Sequence, residues 1–128
     1  MAKKTTEPSR RQKWVPYVRE IADRLALKDW VIDVDEGPPE KTTAHASVWI
    51  AHGRKRATIY LSDEFLADSR SEQRQSIAHE LIHVHNGPYW DAVSRATDDD
   101  PNVRMLMEYA TDGLADGVAP LLPLPPKI

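Results

Sequence analysis

His79-Glu80-Leu81-Ile82-His83 sets two imidazoles four positions apart with a carboxylate between them. If the segment is helical, at about 3.6 residues per turn both imidazoles leave one face a turn apart and can ligate the same metal ion. Glu80 then lies about 100° round the helix, close enough to touch a water on that ion without being a ligand. Two histidines and a free carboxylate in this order are the donor set of a hydrolytic zinc site with its own general base.

A catalytic zinc usually has three protein ligands and one position left for water, so a third ligand is required. One common zinc-protease pattern places Gly three residues after the second His and another His three further on. Those positions here hold Asn86 and Tyr89, so that pattern fails. His85 points to a different helix face from His83 and is read as a packing or hydrogen-bonding residue, with polarisation of a substrate carbonyl as its functional alternative. Glu108 and Asp112 are four apart on a second helical segment and share a face bordering its apolar stripe. An unpaired carboxylate turned to a core is costly, and a metal or an imidazole removes the penalty. Glu108 is therefore the preferred third ligand. Asp91, Asp99 and Asp100 are the acids that would replace it, and a solvent-edge position for both Glu108 and Asp112 is the bland alternative.

The motif, followed 25 residues later by Glu108-Tyr109-Ala110-Thr111-Asp112, resembles the gluzincin metallopeptidases: HExxH, then a glutamate opening an ExxxD sequence on a second helix. The short length and the order helix, strands, motif helix, glutamate helix resemble in particular the minimal gluzincins (minigluzincins) encoded by phages and prophages. The resemblance covers roughly residues 14–118 and is specific in the two motif segments only. It implies a zincin-like fold, zinc held by His79, His83 and Glu108, Glu80 as general base, and Asp112 as the carboxylate that orients His79, a partner commonly found behind a ligating histidine. It leaves the transition-state stabiliser unassigned, with Tyr89, Tyr109 and His85 as candidates. The chain lacks the length for the second domain that walls the cleft of larger gluzincins, so a shallow site or one completed by a partner is expected.

Elements to position these residues follow from apolar spacing. Trp14 to Leu27 places Trp14, Val15, Val18, Ile21, Ala22 and Leu25 on one face, an amphipathic helix. Trp30–Asp35 alternates as a half-buried strand, and Ala44–Ala51 and Arg56–Leu61 are strand-like runs joined as a hairpin through His52-Gly53-Arg54-Lys55. His45 and His52 read as ordinary strand and turn residues. Ser69 or Ser71 caps the motif helix, expected over Glu72–His85 and stopped by Asn86-Gly87-Pro88. Asp99 and Asp100 lead into Pro101 at the first turn of the last helix, whose apolar stripe is Val103, Leu106, Met107, Ala110, Leu114 and Val118. The fold class is α+β: a three-stranded twisted sheet against the motif helix, completed by the N-terminal helix and the C-terminal glutamate helix. An exposed edge of the hairpin near the zinc would bind an extended peptide through main-chain hydrogen bonds.

At 128 residues and 41% apolar, the chain fits one domain over residues 14–119, flanked by a basic segment, 1–13, and a Pro-rich segment, 120–128. With no cysteine, disulfides and thiolate metal sites are excluded. No apolar run follows Lys3-Lys4 as in a secretory signal and none approaches membrane-spanning length, so the default compartment is the cytoplasm, that of the host cell if phage-encoded. The basic segment carries Lys3, Lys4, Arg10, Arg11 and Lys13 against Glu7 and reads as a disordered, solvated tail rather than a nucleic-acid arm, because it lacks interleaved aromatics and the chain is acidic overall, at −3. Pro120, Pro123, Pro125 and Pro126 alternate with leucines in an extended segment that packs on the domain or a partner. The expected function is zinc-dependent hydrolysis of a peptide or protein substrate by a monomer. The alternative is an inactive zinc-binding module used in partner recognition or as a phage component.

Overall fold

The computed structural model describes residues 9–40, 44–51 and 53–128. Helix α1 (Val15–Arg24) buries Tyr17, Val18, Ile21 and Ala22, the face set by its apolar spacing. Trp14, in the turn that leads into it, is fully buried and packs edge-on against Phe65, with ring centroids 4.8 Å apart. Strand β1 (Val31–Val34) exposes Val31 and Asp33 and buries Ile32 and Val34, the period of a half-buried strand. Strands β2 (Ala46–Ala51) and β3 (Arg56–Leu61) pair antiparallel from Ala46 opposite Leu61 to Ala51 opposite Arg56, as a hairpin. Gly53 and Lys55 in its connection adopt left-handed backbone, while His52 lies outside the described residues.

Strand order is β1-β3-β2, with β1 parallel to β3, so the sheet is mixed and the architecture α+β. Among the described residues β2 has β3 on one side and no strand on the other. Ser62 caps a short helix, α2 (Asp63–Ala67), accepting from the Phe65 amide; sequence spacing marked this stretch only as a connection.

Helix α3 (Arg70–Ala96) carries the motif and packs on β2 and on α4 (Pro101–Val118). Ser69 is its cap, accepting from the Glu72 amide at 3.2 Å while donating to the Glu72 carboxylate. The expected stop at Asn86-Gly87-Pro88 does not occur: α3 runs eleven residues past His85, with Pro88 inside it. Proline removes one backbone donor and crowds the preceding turn, at a cost of about 3 kcal/mol in a helix interior. A tertiary contact before it and side-chain packing that spans it within the helix offset that cost. His85 Nε2 bonds the Leu25 carbonyl at the end of α1, Gly87 is buried, and Trp90 packs edge-on against His83 at 5.1 Å. The helix ends instead at Thr97, where Asp98 and Asp99 both turn left-handed and Asp100 caps α4 through the Asn102 amide.

Helix α4 is rotated relative to its most apolar stripe. Leu106 and Leu114 are 61% and 52% exposed, and the fully buried residues are Thr111 and Ala115. The Thr111 hydroxyl donates to the Met107 carbonyl at 3.1 Å, which satisfies it within the helix and lets a polar residue occupy the contact with α3. This rotation turns Glu108 and Asp112 toward the motif histidines.

Both ends of the described chain are tied to the domain. Arg11 donates to the Leu61 carbonyl and pairs with Asp63, and the exposed Arg10 donates to the Leu66 carbonyl, so residues 10 and 11 of the basic segment are bonded to the domain; residues 1–8 lie outside the described residues. The Pro-rich segment buries Leu122 and Pro125, and its Leu122, Pro123 and Pro125 carbonyls accept from Arg74, Tyr17 and Arg70.

Candidate metal centre

His79 and His83, one turn apart on α3, direct their Nε2 atoms to within 3.0 Å of each other. From α4, a Glu108 carboxylate oxygen lies 3.1 Å from His83 Nε2, and an Asp112 carboxylate oxygen lies 3.0 Å from His79 Nδ1. A neutral imidazole that donates from Nδ1 to a carboxylate leaves Nε2 as a lone pair. Burial, followed by the neighbouring His79, pushes the His83 pKa down to about 4, so this ring is neutral near pH 7. Two ring nitrogens thus face each other, with a Glu108 carboxylate oxygen against one of them, an arrangement that a cation satisfies far better than a single shared proton. Each of His79, Glu80 and His83 offers an atom within 4.8 Å of the others, and the group could hold a metal ion.

Glu80 is buried, its carboxylate 4.0 Å from His79 Nε2. It borders two cavities. One, about 400 Å³, is walled by Ser47, Val48 and Ile50 of β2 with His83 and Trp90 of α3. The other, about 200 Å³, is walled by His45, Ala46, Gln75, Ser76, His79 and Asp112. Together they make a cleft along the free side of β2 with the histidine pair and Glu80 at its centre. No residue of the Pro-rich segment lines either cavity.

Burial, followed by the Glu108 charge, raises the Glu80 pKa from 4.5 to about 8 in the absence of a cation. Between these values the folded chain keeps a proton that the unfolded chain has released, so stability falls as pH rises through the window. His83 acts oppositely: its folded value of about 4 lies below its ordinary 6.5, so its contribution is lost as pH drops through that interval. Above pH 6.5 Glu80 is joined by His45, whose imidazole pKa is raised chiefly by its bond to Asp68, and both lower stability as pH rises. Metal-free protein is therefore expected to lose melting temperature from pH 6.5 to 8, and Glu80→Gln to flatten that slope; equal slopes in calorimetry would contradict the burial of a titrating Glu80.

The other residues singled out from sequence divide between the cleft and the outer surface. Tyr89 and Tyr109 are 67% and 64% exposed and border neither cavity, and His85 is engaged by the Leu25 carbonyl on the α1 side. None of the three is brought to the cleft, because Tyr109 follows Glu108 by one position and so faces away from α3, and Tyr89 stands outward on the extension of α3. Asp91 and Asp99 do line the larger cavity with Glu80 and His83, but their carboxylates pair with Arg95 and Arg104 rather than with the histidines. His45, read from sequence as an ordinary strand residue, borders the smaller cavity beside His79 and Glu80. Its Nδ1 is 2.7 Å from an Asp68 carboxylate oxygen, which raises the imidazole pKa. The signal for it was non-local, since 23 residues separate the pair. Comparison with protein-family models, with curated proteins and with solved structures finds no match for this chain.

Proposed function

We propose that this protein is a zinc-dependent peptidase with a zincin-like fold and a gluzincin-like ligand set, in which His79, His83 and Glu108 hold the ion and Asp112 orients His79. The observation that carries this reading is the approach of the two imidazole Nε2 atoms to each other and of a carboxylate oxygen from a second helix to one of them, beside the buried Glu80. Two nitrogens and one oxygen suit zinc, which takes imidazole and carboxylate in tetrahedral sites and keeps a position open in catalytic ones. Bound there, zinc supplies Lewis acidity toward a water and toward a substrate carbonyl.

The chain's own residues do the rest. Glu80 accepts the proton of the attacking water and delivers it to the departing amine, so one buried carboxylate serves both halves of the reaction. Asp112 accepts a hydrogen bond from the Nδ1–H of His79, fixing the tautomer that presents Nε2. The free side of β2 receives an extended peptide by main-chain hydrogen bonds, which positions a scissile bond over Glu80 with little demand on side-chain identity. No helix among the described residues is long and apolar enough to cross a membrane.

Incubation of the zinc-loaded protein with an unstructured polypeptide, with and without a chelator, tests this reading by mass spectrometry. Chelator-sensitive fragments are expected. A protein that retains one zinc yet cuts none of a panel of unstructured chains would instead be a metal-binding module.

A further inference from the structure

We propose that His45 is a further catalytic residue, which donates a hydrogen bond from Nε2 to the substrate carbonyl oxygen as that oxygen gains negative charge; this rests on the peptidase reading above.

His45 is held at both its backbone and its ring. The His45 carbonyl accepts from both the Ser62 amide, at 2.9 Å, and the Ser62 hydroxyl, at 2.7 Å, just where β2 begins. Its side chain is held separately, by Nδ1 against Asp68 at 2.7 Å, and the Asp68 side chain is only 13% exposed. Backbone and ring are thus fixed from two directions, while half of the imidazole remains open to solvent. An imidazole bound at Nδ1 has one polar atom left, Nε2, and the cavity it borders is shared with His79 and Glu80.

The chemistry of the pair selects a donor role. Asp68, with Glu64 and Glu72 adding to it, favours the imidazolium form, in which Nε2 carries a proton and cannot accept one. A fixed donor beside the residue that activates water is placed to meet charge that develops only during reaction, the arrangement that stabilises an oxyanion. The three residues that sequence offered for this role are turned elsewhere; of the other donors that line this cavity, Gln75 is spent on Asp116 and the Ser76 hydroxyl is neutral, whereas His45 can bring a positive charge.

The test compares zinc-loaded wild type with His45→Ala, using a C-terminally amidated phosphinic peptide, whose tetrahedral anion mimics the reacting carbonyl, and the matching amide peptide as substrate. His45→Ala is expected to keep one zinc per chain, to bind the phosphinic peptide about 10²-fold more weakly and to lose kcat by a similar factor, with KM for the amide peptide nearly unchanged. Unchanged phosphinic-peptide affinity in the zinc-loaded variant overturns the inference. So does a loss seen only with substrates bearing a free terminal carboxylate, which would make His45 a carboxylate-binding residue. Failure of the wild type to bind zinc overturns the peptidase reading and this inference together, whereas a zinc-loaded, active His45→Ala overturns the inference alone.

Discussion

Glu80→Gln is expected to bind zinc with the stoichiometry of the wild type and to hydrolyse peptides about 10²–10⁴-fold more slowly, the usual contribution of a positioned general base. The substitution keeps the volume and one acceptor of the side chain but removes its capacity to take a proton. Because Glu80 is buried among α3, β2 and the histidine pair, the amide replaces a carboxyl in place, and the fold should tolerate it. Burial disfavours the charged form of the glutamate in metal-free protein, so Glu80→Gln should be at least as stable as the wild type above pH 6.5. Loss of activity together with maintained or raised stability separates a catalytic role from a structural one. A variant that cleaves at the wild-type rate would remove Glu80 from the mechanism.

His79→Ala and His83→Ala should abolish tight zinc binding. An ion bound only by the native state adds RT ln(1 + [zinc]/Kd) to stability, about 2.7 kcal/mol at a hundredfold excess over Kd. For a domain of this size that amounts to roughly 10 °C in melting temperature, present in the wild type with zinc and absent in both variants. Without zinc the variants should melt close to the metal-free wild type, since neither histidine belongs to the apolar core. Differential scanning calorimetry in the two conditions distinguishes loss of a ligand from general damage, because damage would lower the metal-free value as well. Glu108 is more exposed than the histidines and sits on the second helix, so its removal should weaken zinc binding less.

The site could be anticipated because its chemistry is local: two histidines and a glutamate within one helical turn define a face whatever the tertiary structure. The pairing of Glu108 and Asp112 was also visible as a spacing of four. What their spacing could not reveal was the rotation of α4. The stripe Leu106, Ala110, Leu114 is more apolar than the line Met107, Thr111, Ala115, yet the second faces α3, since the Thr111 hydroxyl is satisfied inside its own helix.

The boundary of α3 shows the same limit. Asn86-Gly87-Pro88 carries strong local stop signals, and they are overridden where His85 bonds the distant Leu25 carbonyl and Trp90 packs on His83 two turns back along the same helix. The actual stop, at Thr97 to Asp99, uses aspartates in left-handed backbone, a weaker signal than glycine. Strand positions were clear from alternation, whereas the order β1-β3-β2, which leaves β2 free beside the motif, depends on how β1 returns parallel to β3. His45 went unrecognised for a related reason: its partner Asp68 lies across the hairpin and α2, and no local pattern joins them.

X-ray absorption at the zinc edge of the loaded, dialysed protein reads the ligand set itself. One retained zinc per chain, with scattering from two imidazoles and two oxygen donors in the first coordination sphere and one oxygen fewer from protein in Glu108→Ala, is the expected spectrum. Zinc that dialyses away, or a spectrum without imidazole scattering, would contradict the assignment of His79, His83 and Glu108 as the centre on which hydrolysis depends.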